Sequence, residues 1–144
     1  MKWALYLLFL PLLTFAQESP SKGVNRIVVG NTNTAFENYK LIIPVLLDAG
    51  YQIEKRDDEY RTVQTQYRLI KGKAVNVQFN FIAKDSAIIV SGTSISTVGI
   101  STYSANLPYQ IEYRGMKGSE IRNAFEAMNG VAAKLGGQLS FEKK

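Results

Sequence analysis

The chain has 144 residues, 46% of them hydrophobic, a net charge of +5, and neither cysteine nor histidine. The two absences remove disulfides, thiolate nucleophiles and zinc-thiolate sites, together with Ser-His-Asp, Cys-His and HExxH chemistry. The positive excess is scattered without a basic run, which argues against nucleic acid as a partner.

Met1-Lys2, an apolar run from Trp3 to Leu13 and the small residue Ala16 predict a signal peptide over 1–16, cleaved after Ala16. The run is eleven residues, too short for a bilayer, which takes about 20. No later segment is long and apolar enough to span, so no transmembrane anchor is expected in the mature chain. Without cysteine there is also no lipidated residue to tether it. A periplasmic or secreted protein follows, with a polar linker over 17–24 and a single α+β domain over 25–144.

Ile27, Val28 and Val29 mark a short strand. Thr34-x-x-Glu37 then spells a capping box opening a helix. Phe36, Tyr39, Ile43, Leu46 and Leu47 recur at helical spacing, and Leu41, Ile42 and Val45 widen the apolar arc beyond one stripe. Pro44 is expected to kink this helix or end its regular part, and Gly50 to close it in a left-handed cap. Tyr51 to Lys55 reads as a second strand. Asp57-Asp58-Glu59 lacks the alternate spacing of a calcium loop and reads as a solvated turn.

Val63, Thr65, Tyr67 and Leu69, then Val75, Val77, Phe79 and Phe81, alternate with polar residues on either side of Lys71-Gly72-Lys73. This predicts a β-hairpin with one buried and one wet face. In the simplest register Leu69 faces Val75 and Tyr67 faces Val77. Gln64, Gln66, Gln78 and Asn80 then share the wet face, an amide array of the kind sugar hydroxyls prefer. Ala87 to Ile95 is a further strand.

Ser96 to Gly118 is a long connection rich in Ser, Thr and Tyr, with a short strand expected within Gln110 to Arg114. Binding residues are often carried on loops held by a rigid scaffold. Tyr103, Tyr109, Tyr113, Arg114 and Lys117 are therefore the candidate partner contacts. Gly115-Met116-Lys117-Gly118-Ser119 departs from the GxxxxGK[ST] phosphate loop and reads as a turn feeding a helix cap at Ser119. Arg114, Lys117 and Arg122 near that helix start form a lesser candidate for an anion contact. Ile121, Phe125, Met128, Ala132 and Leu135 make a narrow apolar stripe, and Leu139 and Phe141 belong to a last strand.

The expected fold is α+β: a two-layer, mostly antiparallel sheet with two helices on one face, in the order β-α-β-β-β-α-β. Ala35 to Arg68, with Leu47, Asp48, Gly50, Tyr51 and Ile53 in an aliphatic-Asp-x-Gly-aromatic phrase, resembles the repeated domains of the outer-membrane assembly-machine lipoprotein C family. The resemblance implies a helix-grip-like fold and an accessory, non-catalytic envelope role. It carries over no functional residue, and the family's lipidated cysteine is absent here.

No catalytic residue, cofactor or metal site emerges. The expectation is a non-enzymatic exported envelope module that binds another envelope macromolecule, protein or polysaccharide. The alternative is a carrier of a small apolar ligand between the sheet and the first helix.

Overall fold

The computed structural model describes residues 18–97 and 107–144. The expected signal peptide and Tyr103 lie outside the described residues. Along β1 (Arg26–Gly30), Ile27 and Val29 are fully buried while Arg26, Val28 and Gly30 are half-buried. This alternation, repeated in neighbouring strands, gives the sheet one apolar and one mixed face. The order of elements is β1, α1 (Ala35–Asp48), β2 (Ile53–Asp57), β3 (Thr62–Thr65), β4 (Arg68–Leu69), β5 (Val75–Lys84), β6 (Ala87–Ser96), β7 (Tyr109–Gln110), α2 (Glu120–Lys134) and β8 (Gln138–Glu142).

All eight strands form one antiparallel sheet, in the order β2-β3-β5-β6-β1-β8, with β4 also pairing β5 and β7 pairing β6. The α+β class and the two helices on one face are as expected. The sheet has more strands than the predicted order. The 62–69 segment divides into β3 and β4, the Ala87–Ile95 run forms β6, and the short strand expected within Gln110 to Arg114 forms as the two-residue β7 at Tyr109–Gln110.

α1 starts as its sequence dictates. The Thr34 amide donates to Glu37 Oε2 at 2.8 Å, and the Glu37 amide donates to Thr34 Oγ1 at 3.3 Å. The bonds from Thr34 hold the Glu37 carboxyl below the usual carboxylate range. The helix does not end at Pro44 but runs on to Asp48. At its close the Gly50 amide donates to the Leu47 carbonyl and the Tyr51 amide to the Leu46 carbonyl. Gly50 sits at φ 82°, the left-handed conformation that this Schellman closure requires. Tyr39, Ile42 and Leu46 are buried, Leu41, Ile43 and Val45 half-buried, and Phe36 and Leu47 exposed, so the wide apolar arc is only partly used.

The core lies between the helices and the apolar face, on Ile27, Val29, Val63, Val77, Phe79, Phe81, Ile88 and Val90. Phe125 and Met128 of α2 complete it, Phe125 meeting the Phe141 ring at 6.4 Å between centroids. Gly92 lies directly opposite Phe79. A β-carbon there would come within 3.0 Å of the Phe79 ring and 2.6 Å of the Gln78 carbonyl, so the aromatic occupies space that only glycine leaves.

The hairpin departs from the simplest register. β3 pairs Val63 with Phe81 and Gln64 with Asn80, as alternation predicts. Beyond Thr65 the pairing slips by one, so that Arg68 faces Val77 and Leu69 faces Asn76. The turn is built on Ile70 to Lys73, with the Ile70 amide donating to the Val75 carbonyl, and this length sets the slipped register. Tyr67 and Leu69, expected in the core, are 40% and 51% exposed. Arg68, itself exposed, takes the helix-facing position opposite Val77 instead.

Candidate functional site

Neither described helix covers the second face of the sheet, and its centre is polar. Gln78, in the middle of β5, is only 9% exposed. It is not turned into the core, since Val77 and Phe79 on either side of it fill that face. Its burial comes from neighbours on the open side. Gln78 Nε2 donates to Glu54 Oε2 at 2.6 Å, and Gln64 Nε2 donates to Gln78 Oε1 at 3.2 Å. Gln64, across the ladder from Asn80, therefore reaches Gln78 diagonally, whereas Gln66 was the neighbour expected beside it.

The polar array continues across the sheet. Thr93 lies opposite Gln78 on β6 and opposite Gln110 on β7, and Tyr67 Oη shares a 2.9 Å hydrogen bond with Thr93 Oγ1. Asn80 faces Ser91. Two hydrogen-bonded groups, Glu54–Gln78–Gln64 and Tyr67–Thr93, thus lie side by side on this face. On the β2 side the surface dips into a depression of about 660 Å³ lined by Glu54, Lys55, Arg56, Asp57, Gln64 and Asn80. Gln64, Gln78 and Asn80 were legible from their alternation. Glu54 was not, because it joins this face through a bulge between Ile53 and Lys55 that nothing in the residues announces. Tyr67 and Thr93 escaped for the same kind of reason: the register slip brings one to the other.

The second candidate region is divided by the structure. Tyr103 lies outside the described residues. Tyr109 is half-buried on β7, its backbone paired with Ser94. Tyr113 is packed: its ring meets Phe125 edge-on at 5.1 Å, the Arg122 guanidinium lies 3.7 Å over the ring, and Arg122 Nη2 donates to its hydroxyl at 2.6 Å. Its backbone is tied to the end of the 17–24 segment. The Tyr113 amide donates to the Val24 carbonyl, the Gly23 amide donates to the Tyr113 carbonyl, and Val24 itself is buried. Arg114 is paired with Glu112 at 2.5 Å, and Lys117 is exposed.

The lesser anion candidate at the start of α2 loses most of its cations by the same account. Arg122 is committed to Tyr113 and to Glu126, and Arg114 to Glu112. Ser119 caps α2, accepting from the Arg122 amide. In the acidic turn, Asp57 Oδ1 accepts from the Tyr60 amide and Asp58 Oδ1 from the Tyr39 hydroxyl at 2.5 Å. Among the described residues, no three carboxylates converge as metal donors, and no helix is long and apolar enough to cross a membrane. No protein-family model matches the chain, and no curated protein matches it.

Proposed function

We propose that this chain is a non-enzymatic exported module of the cell envelope that binds an envelope polysaccharide on the open face of its sheet. One observation carries the reading: the Glu54–Gln78–Gln64 relay, in which a carboxylate and two amides hold one another in place at the centre of a face that neither described helix covers. Amide and hydroxyl groups fixed before binding lose little entropy when a ligand arrives. Their mixture of donors and acceptors suits sugar hydroxyls, and half-exposed Tyr67 offers a ring beside them. The signal-peptide-like start and the likeness of Ala35–Arg68 to an accessory envelope family support the same compartment and a non-catalytic role. The alternative, carriage of an apolar ligand between the sheet and α1, meets a space filled by Tyr39, Ile42, Leu46, Phe79 and Phe81.

Co-sedimentation with purified insoluble peptidoglycan tests the reading. Gln64→Ala combined with Asn80→Ala should weaken binding at least tenfold, which is about 1.4 kcal/mol, with the melting temperature close to that of the parent chain. Undiminished binding by this variant overturns the sheet face as the site. A parent chain that ignores polysaccharide but cross-links to an envelope protein through Tyr67 replaces the partner class.

A further inference from the structure

On the helix side, a separate recess of about 270 Å³ opens between the end of α1, β4 and the middle of α2. Its apolar lining comes from Tyr51, Ile70, Ala127 and Val131, and three cations, Arg68, Lys71 and Lys134, stand around it. No carboxylate lines it, and none of the three cations has an ion-pair partner among the described residues. The C-terminal ends of α1 and α2 both lie at this recess. Their half-charges of about −0.5 each offset roughly one of the three positive charges, leaving a clear excess.

Arg68 is held rather than free. Its Nη1 donates to the Ala49 carbonyl at 2.6 Å, and its guanidinium lies 4.7 Å over the Tyr51 ring. A guanidinium has about five N–H donors, so most remain for a ligand from a side chain already fixed in position.

Gly130 adds an independent observation. It sits inside α2, where glycine is disfavoured relative to alanine. A β-carbon there would meet nothing within 4 Å, so close packing does not account for it. It does line the recess, and any larger residue would reduce the opening.

Cations on the rim of an apolar floor suit one ligand chemistry. We propose that this recess binds a single-chain amphipathic acid, with its acidic head at Arg68, Lys71 and Lys134 and its alkyl chain against Ile70, Ala127 and Val131. The volume falls just below the roughly 300 Å³ at which pockets for drug-sized ligands begin, so a short chain or the first part of a longer one fits. This site lies on the opposite face from the proposed polysaccharide surface and does not depend on it.

The test titrates the chain with hexanoate, octanoate and decanoate below their micellar concentrations, following backbone amide NMR shifts. Affinity should rise up to about fourfold per added methylene until the recess is filled. Shifts should concentrate at Arg68–Lys71 and Ala127–Lys134. Octan-1-ol should bind at least tenfold more weakly, and octylammonium and acetate not measurably. Gly130→Leu should weaken octanoate binding at least tenfold while retaining the fold, and Arg68→Gln should abolish the preference for octanoate over octanol. Equal binding of octanoate and octanol, or full binding by Gly130→Leu, overturns the proposal. So does association with phosphatidylglycerol vesicles without any response to octanoate, since that marks a membrane surface instead.

Discussion

The side chain of Thr65 accepts the backbone amide of Phe79 at 2.9 Å, and both residues are fully buried. This bond stands at the break between the two hairpin registers, beyond the last regular β3–β5 pair, Gln64 with Asn80. There the hydroxyl supplies the acceptor that the interrupted ladder does not. Thr65→Val keeps the shape but strands the Phe79 amide in the core. It should cost about 1–3 kcal/mol in urea unfolding, whereas Thr65→Ser should retain the bond and lose less. Equal stability of the valine variant would show that the amide finds another partner.

Asn38 makes a second prediction. Its side chain is wholly buried in α1, donating to the Lys84 carbonyl at 2.8 Å and accepting from Asn31 Nδ2 at 2.7 Å. It thereby fastens the β1–α1 connection to the β5–β6 turn, where Asp85 Oδ1 also accepts the Ala35 amide at 2.8 Å. Asn38→Leu removes one partner and leaves others unpaired, so a loss of about 1–3 kcal/mol is expected. Amide exchange should accelerate first at Asn31, Asn33 and Ser86, whose backbones meet at this junction.

The tyrosines of the long connection should separate by role. Tyr113→Ala should destabilise the fold, by less than the about 3–5 kcal/mol typical of a fully buried aromatic. Tyr113→Phe keeps the ring contacts and loses only the bond from Arg122, a change of about 0.5–1.5 kcal/mol. Tyr109→Ala should leave thermal unfolding nearly unchanged. A melting scan of the three variants decides the order.

Burial pushes the Tyr51 phenol up from its ordinary value, with Arg68 above the ring pulling it partly back. The folded state therefore holds this proton more tightly than the unfolded chain. Below about pH 10 the term is constant, and stability should fall as pH rises through the folded value. Phenolate absorbance should show Tyr51 ionising above the ordinary tyrosine range, and Arg68→Gln should delay it further.

Much of the architecture was legible because it follows from local chemistry. The Thr34–Glu37 capping box, the Gly50 closure and the alternation of Val75 to Phe81 each predict one structure and each forms it. The hairpin register was not legible beyond Thr65. Val63, Thr65, Tyr67 and Leu69 keep one unbroken phase in the sequence, and no Gly or Pro marks the slip. The turn at Ile70–Lys73 fixes one end of the pairing and the core residues Val63 and Phe81 the other, and the mismatch is absorbed between them. The polar relay shows the same division. Gln64 and Gln78 follow from alternation, while Glu54 depends on a bulge. Tyr113 was read from its residue type as a surface contact, yet the nearby Phe125 and Arg122 take it into the scaffold.

The bulge at Glu54 has a consequence for assembly. β2 is an outermost strand, and Glu54, Lys55, Arg56 and Asp57 are all exposed along it. A strand from another molecule seeking to lengthen the sheet there would meet a broken backbone spacing and would have to strip water from a row of charges. That flank is closed to templated aggregation, and a partner approaching it must read side chains rather than backbone.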